Sequence, residues 1–230
     1  RRSGISASLF RTRVSPGTAS PQNVTAAVEI TTVVLDVEGT TTPIEFVYEV
    51  LFPFARAHVQ GYLEANVRSP ELGRIFDELY EEYRTDVAQK LGPPLWPTIE
   101  DLHDTVAYVQ WLMERDRKST PLKWLQGRIW EQGYRAGALK GVVFDDVPVA
   151  LERWSRRDRS VAIFSSGSVL AQKLLFAYST AGDLSRFISA YFDTTLGPKT
   201  EAESYRRIGD AIGKPAGSIV FVSDATTELA

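Results

Sequence analysis

Ile30-Thr31-Thr32-Val33-Val34-Leu35, followed by Asp36-Val37-Glu38-Gly39-Thr40-Thr41-Thr42, is the stretch on which the fold turns. Six β-branched or apolar residues in a row suit a strand buried on both faces, the type found in parallel sheets. Two carboxylates one residue apart then fall where that strand should end. In open α/β sheets ligands gather beyond the carboxyl ends of the strands, so Asp36 would face a site and Glu38, two residues on, would return to the same side. Gly39 permits a sharp turn, and Thr40 to Thr42 offer hydroxyls and N–H groups to an anion. Taken alone, Asp followed by Gly after a strand is also an ordinary turn.

Three later segments repeat the pattern of an apolar run ending in polar chemistry. Ser160 to Phe164 reads as a strand and ends in Ser165-Ser166-Gly167-Ser168 before a helical stretch from Val169 to Tyr178. Such a turn serves as a helix cap or as a phosphate cradle. Ser189 to Phe192 is a third strand, and after a loop comes Lys199, directly before Thr200-Glu201-Ala202-Glu203, which has the form of a capping box. A lysine at that end of a helix opposes the helix dipole and points to an anionic partner. Ser218 to Val222 is the fourth strand and runs into Ser223-Asp224, with Glu228 four residues on.

Asp, Ser, Lys and Asp at the ends of successive strands resemble the haloacid dehalogenase superfamily of phosphohydrolases. The stretches DVEGTTTPIEFVYEVLFPFA, FSSGSVLAQKLLFAYSTAGDL, YFDTTLGPKTEAESYRRIGDAIG and FVSDATTEL are similar to one family within it, the 2,3-diketo-5-methylthiopentyl-1-phosphate enolase-phosphatases of methionine salvage. Glu38 marks that family, where most of the superfamily carries Asp. The resemblance runs from about Ile30 to the last residue. It implies an α/β fold: a Rossmann-like parallel sheet over 29–43 and 142–230, interrupted by an all-helical cap over 44–141.

The expected chemistry follows from the difficulty of hydrolysing a phosphate monoester, which calls for an in-line nucleophile and neutralised charge. Asp36 would attack phosphorus and form an aspartyl-phosphate, and Glu38 would protonate the leaving oxygen and later deprotonate water. Ser165, Ser166 and Lys199 would contact the substrate. With no cysteine and two histidines in the chain, the expected cofactor is a hard ion, Mg²⁺, on Asp36, Asp224 and the backbone carbonyl of Glu38. The partner is a small phosphorylated diketone. A phosphatase of another small phosphorylated metabolite, or a fragment that keeps the fold without activity, stays open as an alternative.

Other classes fall away on composition. Without cysteine there is no thiol chemistry, Cys-ligated zinc or disulfide framework. No Gly-x-x-x-x-Gly-Lys loop and no Gly-x-Ser-x-Gly elbow occurs. A net charge of −3, with arginines scattered among acids, gives no footprint for nucleic acid. No apolar run reaches the ~20 residues of a membrane span. A cytoplasmic monomer is expected, with the nucleus also open, or an organelle if residues 1–28 are a transit peptide.

The insert reads as helix nearly throughout. Glu45 to Asn66 has helical spacing with a kink at Pro53, and Glu71 to Ala88 buries Leu72, Ile75, Phe76, Leu79 and Tyr83. Leu91 to Pro97 is a loop. Thr98 is expected to cap a helix striped by Leu102, Val106, Val109, Leu112 and Met113, and Thr120-Pro121 to open another as cap and first residue. His58 and His103 fall in these helices, away from the motifs. Residues 1–28 hold four arginines and no acid, and suit a flexible extension, transit peptide or linker. The chain ends six residues after Asp224, whereas the resembled family continues through another helix and strand, so a missing C-terminal piece is expected.

Overall fold

The computed structural model describes residues 29–99 and 101–229, and the extension over 1–28 lies outside the described residues. Two compact units emerge, one from the chain up to Pro43 together with Gly141 onward, the other Ile44–Lys140. The first carries a four-stranded sheet of β1 (Thr32–Leu35), β2 (Ser160–Ser165), β3 (Ala190–Asp193) and β4 (Ile219–Val222). Every pairing is parallel, and the order β3-β2-β1-β4 sets β1 inside the sheet. All four β1 residues are buried, as a parallel strand covered on both faces must be. The described helices, in chain order, are α1 (Phe52–Asn66), α2 (Pro70–Ala88), α3 (Leu102–Glu114), α4 (Thr120–Arg135), α5 (Asp146–Ser155), α6 (Val169–Ala177) and α7 (Ala202–Ile212).

The last three helices belong to the sheet. Val34, Ala162, Phe164 and Phe221 form one apolar cluster with Ile208 of α7, and Tyr205 and Phe192 pack against it. In-register pairing of Leu35 with Ile163 and Val222 brings the ends of three strands to one edge. Asp36 and Ser223, which follow β1 and β4, and Ser165, the last residue of β2, therefore share that edge. Trp154, expected on the helix after the return to the sheet, lies in α5 and is half-buried.

In the helical unit the apolar stripes match their spacing. Leu72, Ile75, Leu79 and Tyr83 of α2 are buried, as are Val106, Val109 and Leu112 of α3, while Phe76, Leu102 and Met113 are half-buried. Each leucine wholly removed from water contributes about 2 kcal/mol to holding the helices together. The stripe of α2 continues to an acid: Asp86 is fully buried. It accepts from the Tyr108 hydroxyl at 2.8 Å and pairs with Arg117 at 2.9 Å, and Arg117 also reaches Glu82 at 3.4 Å. Burial first, then the bond to Asp86, pushes the Tyr108 hydroxyl far above its ordinary value. The 91–97 segment is a loop as expected, anchored by a fully buried Trp96 set among Tyr80, Tyr83 and Tyr108.

Several helix starts differ from expectation. Asp101, not Thr98, caps α3, accepting from Asp104 N–H at 3.1 Å, and Ser119, not Thr120, caps α4 by accepting from Leu122 N–H at 3.3 Å. In both cases the capping residue has the extended backbone that turns its side chain back on the first turn. The break expected at Pro53 comes one turn earlier, as a π-helix over Phe46–Leu51 in which Phe52 N–H reaches back to Val47 O. Pro53 follows directly as the second residue of α1, where the wider π-helical turn has already shifted the hydrogen-bond ladder that its missing N–H would have joined.

Candidate active site

Asp36 leaves the central strand buried, with 3% of its surface exposed. Its Oδ1 accepts from Val37 N–H at 2.7 Å and lies 2.6 Å from the Lys199 ammonium. Its Oδ2 has only a 3.4 Å approach from the Ser223 hydroxyl, whose single proton is better placed for Glu228 at 2.7 Å. Oδ2 is thus the oxygen with lone pairs to spare. Burial raises the Asp36 carboxyl to about 6, opposed by Lys199 and reinforced by the charges of Glu228 and Glu38.

The turn after β1 is built on Val37. The N–H groups of Thr41 and Thr42 donate to Val37 O at 2.9 and 3.0 Å, and Gly39 takes a φ of +76° that a side chain would resist. A second reason fixes glycine there: a Cβ on residue 39 would stand 2.2 Å from Asp224 Oδ2. Asp224 is held over this turn, its N–H donating to the Thr40 hydroxyl at 3.0 Å. Glu38 points to the neighbouring strand end and accepts from the Ser165 hydroxyl at 3.2 Å. Ser165 is buried and also accepts from Gly167 N–H at 3.0 Å, while Ser166 is exposed in the bend beyond it.

Lys199 is where the reading of local sequence fails. The capping box over Thr200–Glu203 does not form, because Glu201 keeps an extended backbone and its side chain makes no cap bond; α7 begins only at Ala202. The loop is tied instead by Ser204, whose hydroxyl donates to Pro198 O at 2.7 Å, and by Tyr205, whose hydroxyl donates to Lys199 O at 2.6 Å. Lys199 therefore does not oppose a helix dipole from the first turn. It turns into the site, 9% exposed, and binds Asp36 and Glu228 together, the latter at 2.8 Å.

Sequence reading left Ser223, Glu228 and Tyr205 without roles, and offered the Thr40 hydroxyl to an anion, whereas it accepts from Asp224 N–H. Glu228 alone had a signal, an acid one helical turn after another strand-end acid. The two histidines both belong to the helical unit: His58 is exposed and stacked on Phe54, with ring centroids 4.0 Å apart, and His103 is exposed on α3.

The donors at this edge suit a hard ion. Among the described residues no three His, Cys, Asp or Glu side chains could cage a metal by themselves. Two carboxylates supplemented by carbonyl and water oxygens is the arrangement Mg²⁺ accepts. The surplus of acids that helps to raise Asp36 is what such a cation would relieve.

A family model described as haloacid dehalogenase-like hydrolase matches residues 30–230. The chain is 52% identical over 202 residues to "Enolase-phosphatase E1" of Synechococcus elongatus, covering 88% of this chain and 84% of that one. Against the protein of the same name from Drosophila melanogaster the identity is 42%, over 86% of this chain and 77% of the other. Among solved structures, that of the UTR4 protein of Saccharomyces cerevisiae is similar with a TM-score of 0.69 and 34% identity, covering 87% of this chain and 84% of that one.

Proposed function

The chain belongs to the haloacid dehalogenase-like hydrolases and, within them, to the enolase-phosphatases, and we propose that Asp36 and Glu38 carry its chemistry. The reaction is that of methionine salvage: 2,3-diketo-5-methylthiopentyl-1-phosphate is enolised and then loses phosphate to give the acireductone. Asp36 attacks phosphorus, the ester oxygen leaves, and an aspartyl-phosphate remains. Glu38, two residues along and bonded to Ser165, gives its proton to the leaving oxygen and takes one from the water that releases phosphate. Ser165, Ser166 and Lys199 hold the phosphoryl group, Lys199 from its position 2.6 Å from the nucleophile. Asp36, Asp224 and the carbonyl of Glu38 would hold Mg²⁺, which when bound neutralises charge between an anionic nucleophile and an anionic ester. Ser223 keeps Glu228 in place, and Glu228 keeps Lys199 in place.

The observation that carries this reading is the state of Asp36: buried at a strand end, lifted to about 6, with a lysine on one oxygen and only the long Ser223 contact on the other. A group that served only folding would be paired on both oxygens. We place the enzyme as a monomer in the cytoplasm, with a small-molecule partner and no nucleic acid. Among the described residues no helix is long and apolar enough to cross a membrane.

The test follows the two half-reactions separately on the diketo phosphate, the enol by ultraviolet absorbance and the second step by free phosphate. Both are expected with Mg²⁺, and phosphate release is expected to stop in EDTA and return when Mg²⁺ is restored. Phosphate release at full rate in metal-free buffer would remove the ion from the site.

A further inference from the structure

Gln172 is a buried polar side chain that the mechanism above does not use. It lies on α6 with 2% of its surface exposed. Its amide nitrogen donates to two backbone carbonyls, Gly167 O at 2.7 Å and Phe192 O at 2.9 Å. Both neighbours are acceptors, so the amide can face them only with its NH₂. The other end, Oε1, is then buried without a hydrogen-bond partner among the described residues. A buried unpaired acceptor weakens a fold. A methionine or leucine would fill the same space without that penalty, so packing alone does not account for a glutamine here.

The two bonds do something packing cannot. Gly167 belongs to the turn after β2, and Phe192 is in β3 beside it, where the ladder pairs Phe164 with Phe192 and ends on Ser165 and Asp193. Gln172 ties the turn to the neighbouring strand just past the point where backbone pairing stops. Asp193 adds a second tie, accepting from Val169 N–H at 3.3 Å. Gly167 is held from both sides, its carbonyl by Gln172 and its N–H by the Ser165 hydroxyl oxygen. That same hydroxyl donates to Glu38. A chain of contacts therefore runs from Gln172 through Gly167 to Ser165 and on to Glu38.

We infer that Gln172 is a positioning residue for the phosphoryl group: by clamping Gly167 to β3 it presets the turn that presents Ser165. This rests on the assignment of Ser165 to phosphoryl binding. The clamp acts equally on substrate and transition state, because the turn is fixed before either arrives. Its loss should therefore appear in binding rather than in turnover.

The experiment replaces Gln172 by Met, which keeps the length and removes both donors, and by Glu, which keeps the shape and sets acceptor oxygens against the two carbonyls. Inorganic phosphate is titrated calorimetrically onto each Mg²⁺-loaded protein, so no assumption about the organic half of the substrate enters. The expected result is a dissociation constant for phosphate raised on the order of tenfold in Gln172→Met and more in Gln172→Glu, with KM raised in step and kcat within about threefold of the parent. The melting temperature of Gln172→Met should change little or fall modestly, because one unpaired acceptor is removed while Gly167 O and Phe192 O each lose a donor. If Gln172→Met fails to fold, Gln172→Glu carries the test. Phosphate affinity within twofold of the parent in either folded variant overturns the inference, as does a loss confined to kcat. A parent protein that binds phosphate but leaves the diketo phosphate untouched would count against the assigned substrate and leave the clamp standing.

Discussion

Each unit of the protein buries an aspartate beside a cation, and the two are treated in opposite ways. In the helical unit Asp86 has the Tyr108 hydroxyl on one oxygen and Arg117 on the other, and the guanidinium is shared with Glu82. At the sheet edge Asp36 has Lys199 and a backbone N–H on the same oxygen, while the other is left with a long contact. The first arrangement uses up the carboxylate and ties α2 to α3 and to the loop that follows it. The second keeps part of it in reserve at the cost of a carboxyl raised to about 6. Burial alone does not separate a structural acid from a reactive one. The distribution of partners over the two oxygens does.

The comparison breaks first at Asp36. Asp36→Asn should lower phosphate release on the order of 10⁴-fold or more, since an amide is no nucleophile, with a circular dichroism spectrum like the parent's. Release at the parent rate by a folded variant would reduce Asp36 to a second Asp86. Lys199→Ala should cost on the order of 10² to 10³ in kcat. It should also lower the melting temperature, because Asp36 and Glu228 lose the cation they share. A lysine in the first turn of a helix would have given the opposite sign of stability change, so a thermal melt decides between the two placements.

Arg117→Met tests the other side. Leaving Asp86 buried without its ion pair should cost about 3 to 5 kcal/mol in chemical denaturation, with kcat of the remaining folded protein unchanged. A kcat that fell with stability would mean the helical cluster is not purely structural. The smallest effect is on pH. Because the folded Asp36 carboxyl is raised from 3.8 to about 6, the stability it contributes is full below 3.8 and is lost as pH climbs through about 6. In metal-free protein, Asp36→Asn lacks that loss. It should gain on the parent by at most about 3 kcal/mol between pH 4 and pH 7, read from paired melts. A difference that does not vary with pH would show that Asp36 is not raised.

The strands were legible because a parallel sheet buried on both faces writes itself as short apolar runs, and their polar ends fell where chemistry was expected. Asp36, Glu38, Ser165 and Asp224 could be located because each stands at the end of its strand or a few residues past it. Lys199 could be singled out but not placed: its surroundings depend on Ser204 and Tyr205 closing the loop from within α7, which local sequence does not announce. Caps were misread for a related reason. Thr98, Asp101, Ser119 and Thr120 are all capable, and the backbone angle that selects one is set by the approach of the preceding loop. Asp86 did leave a trace, since it sits in register with Leu72, Ile75, Leu79 and Tyr83. An acid on an apolar stripe is a signal worth reading.

Gly39 has a consequence for anyone who mutates this protein at every position. It has no side chain to bind, donate or attack, yet a single added carbon there would land on Asp224, which lies 185 residues further along the chain. In an exhaustive substitution screen its column should be as empty as that of the nucleophile. Intolerance of that kind marks room kept clear for another residue, and a screen read without the structure would count Gly39 among the groups that react.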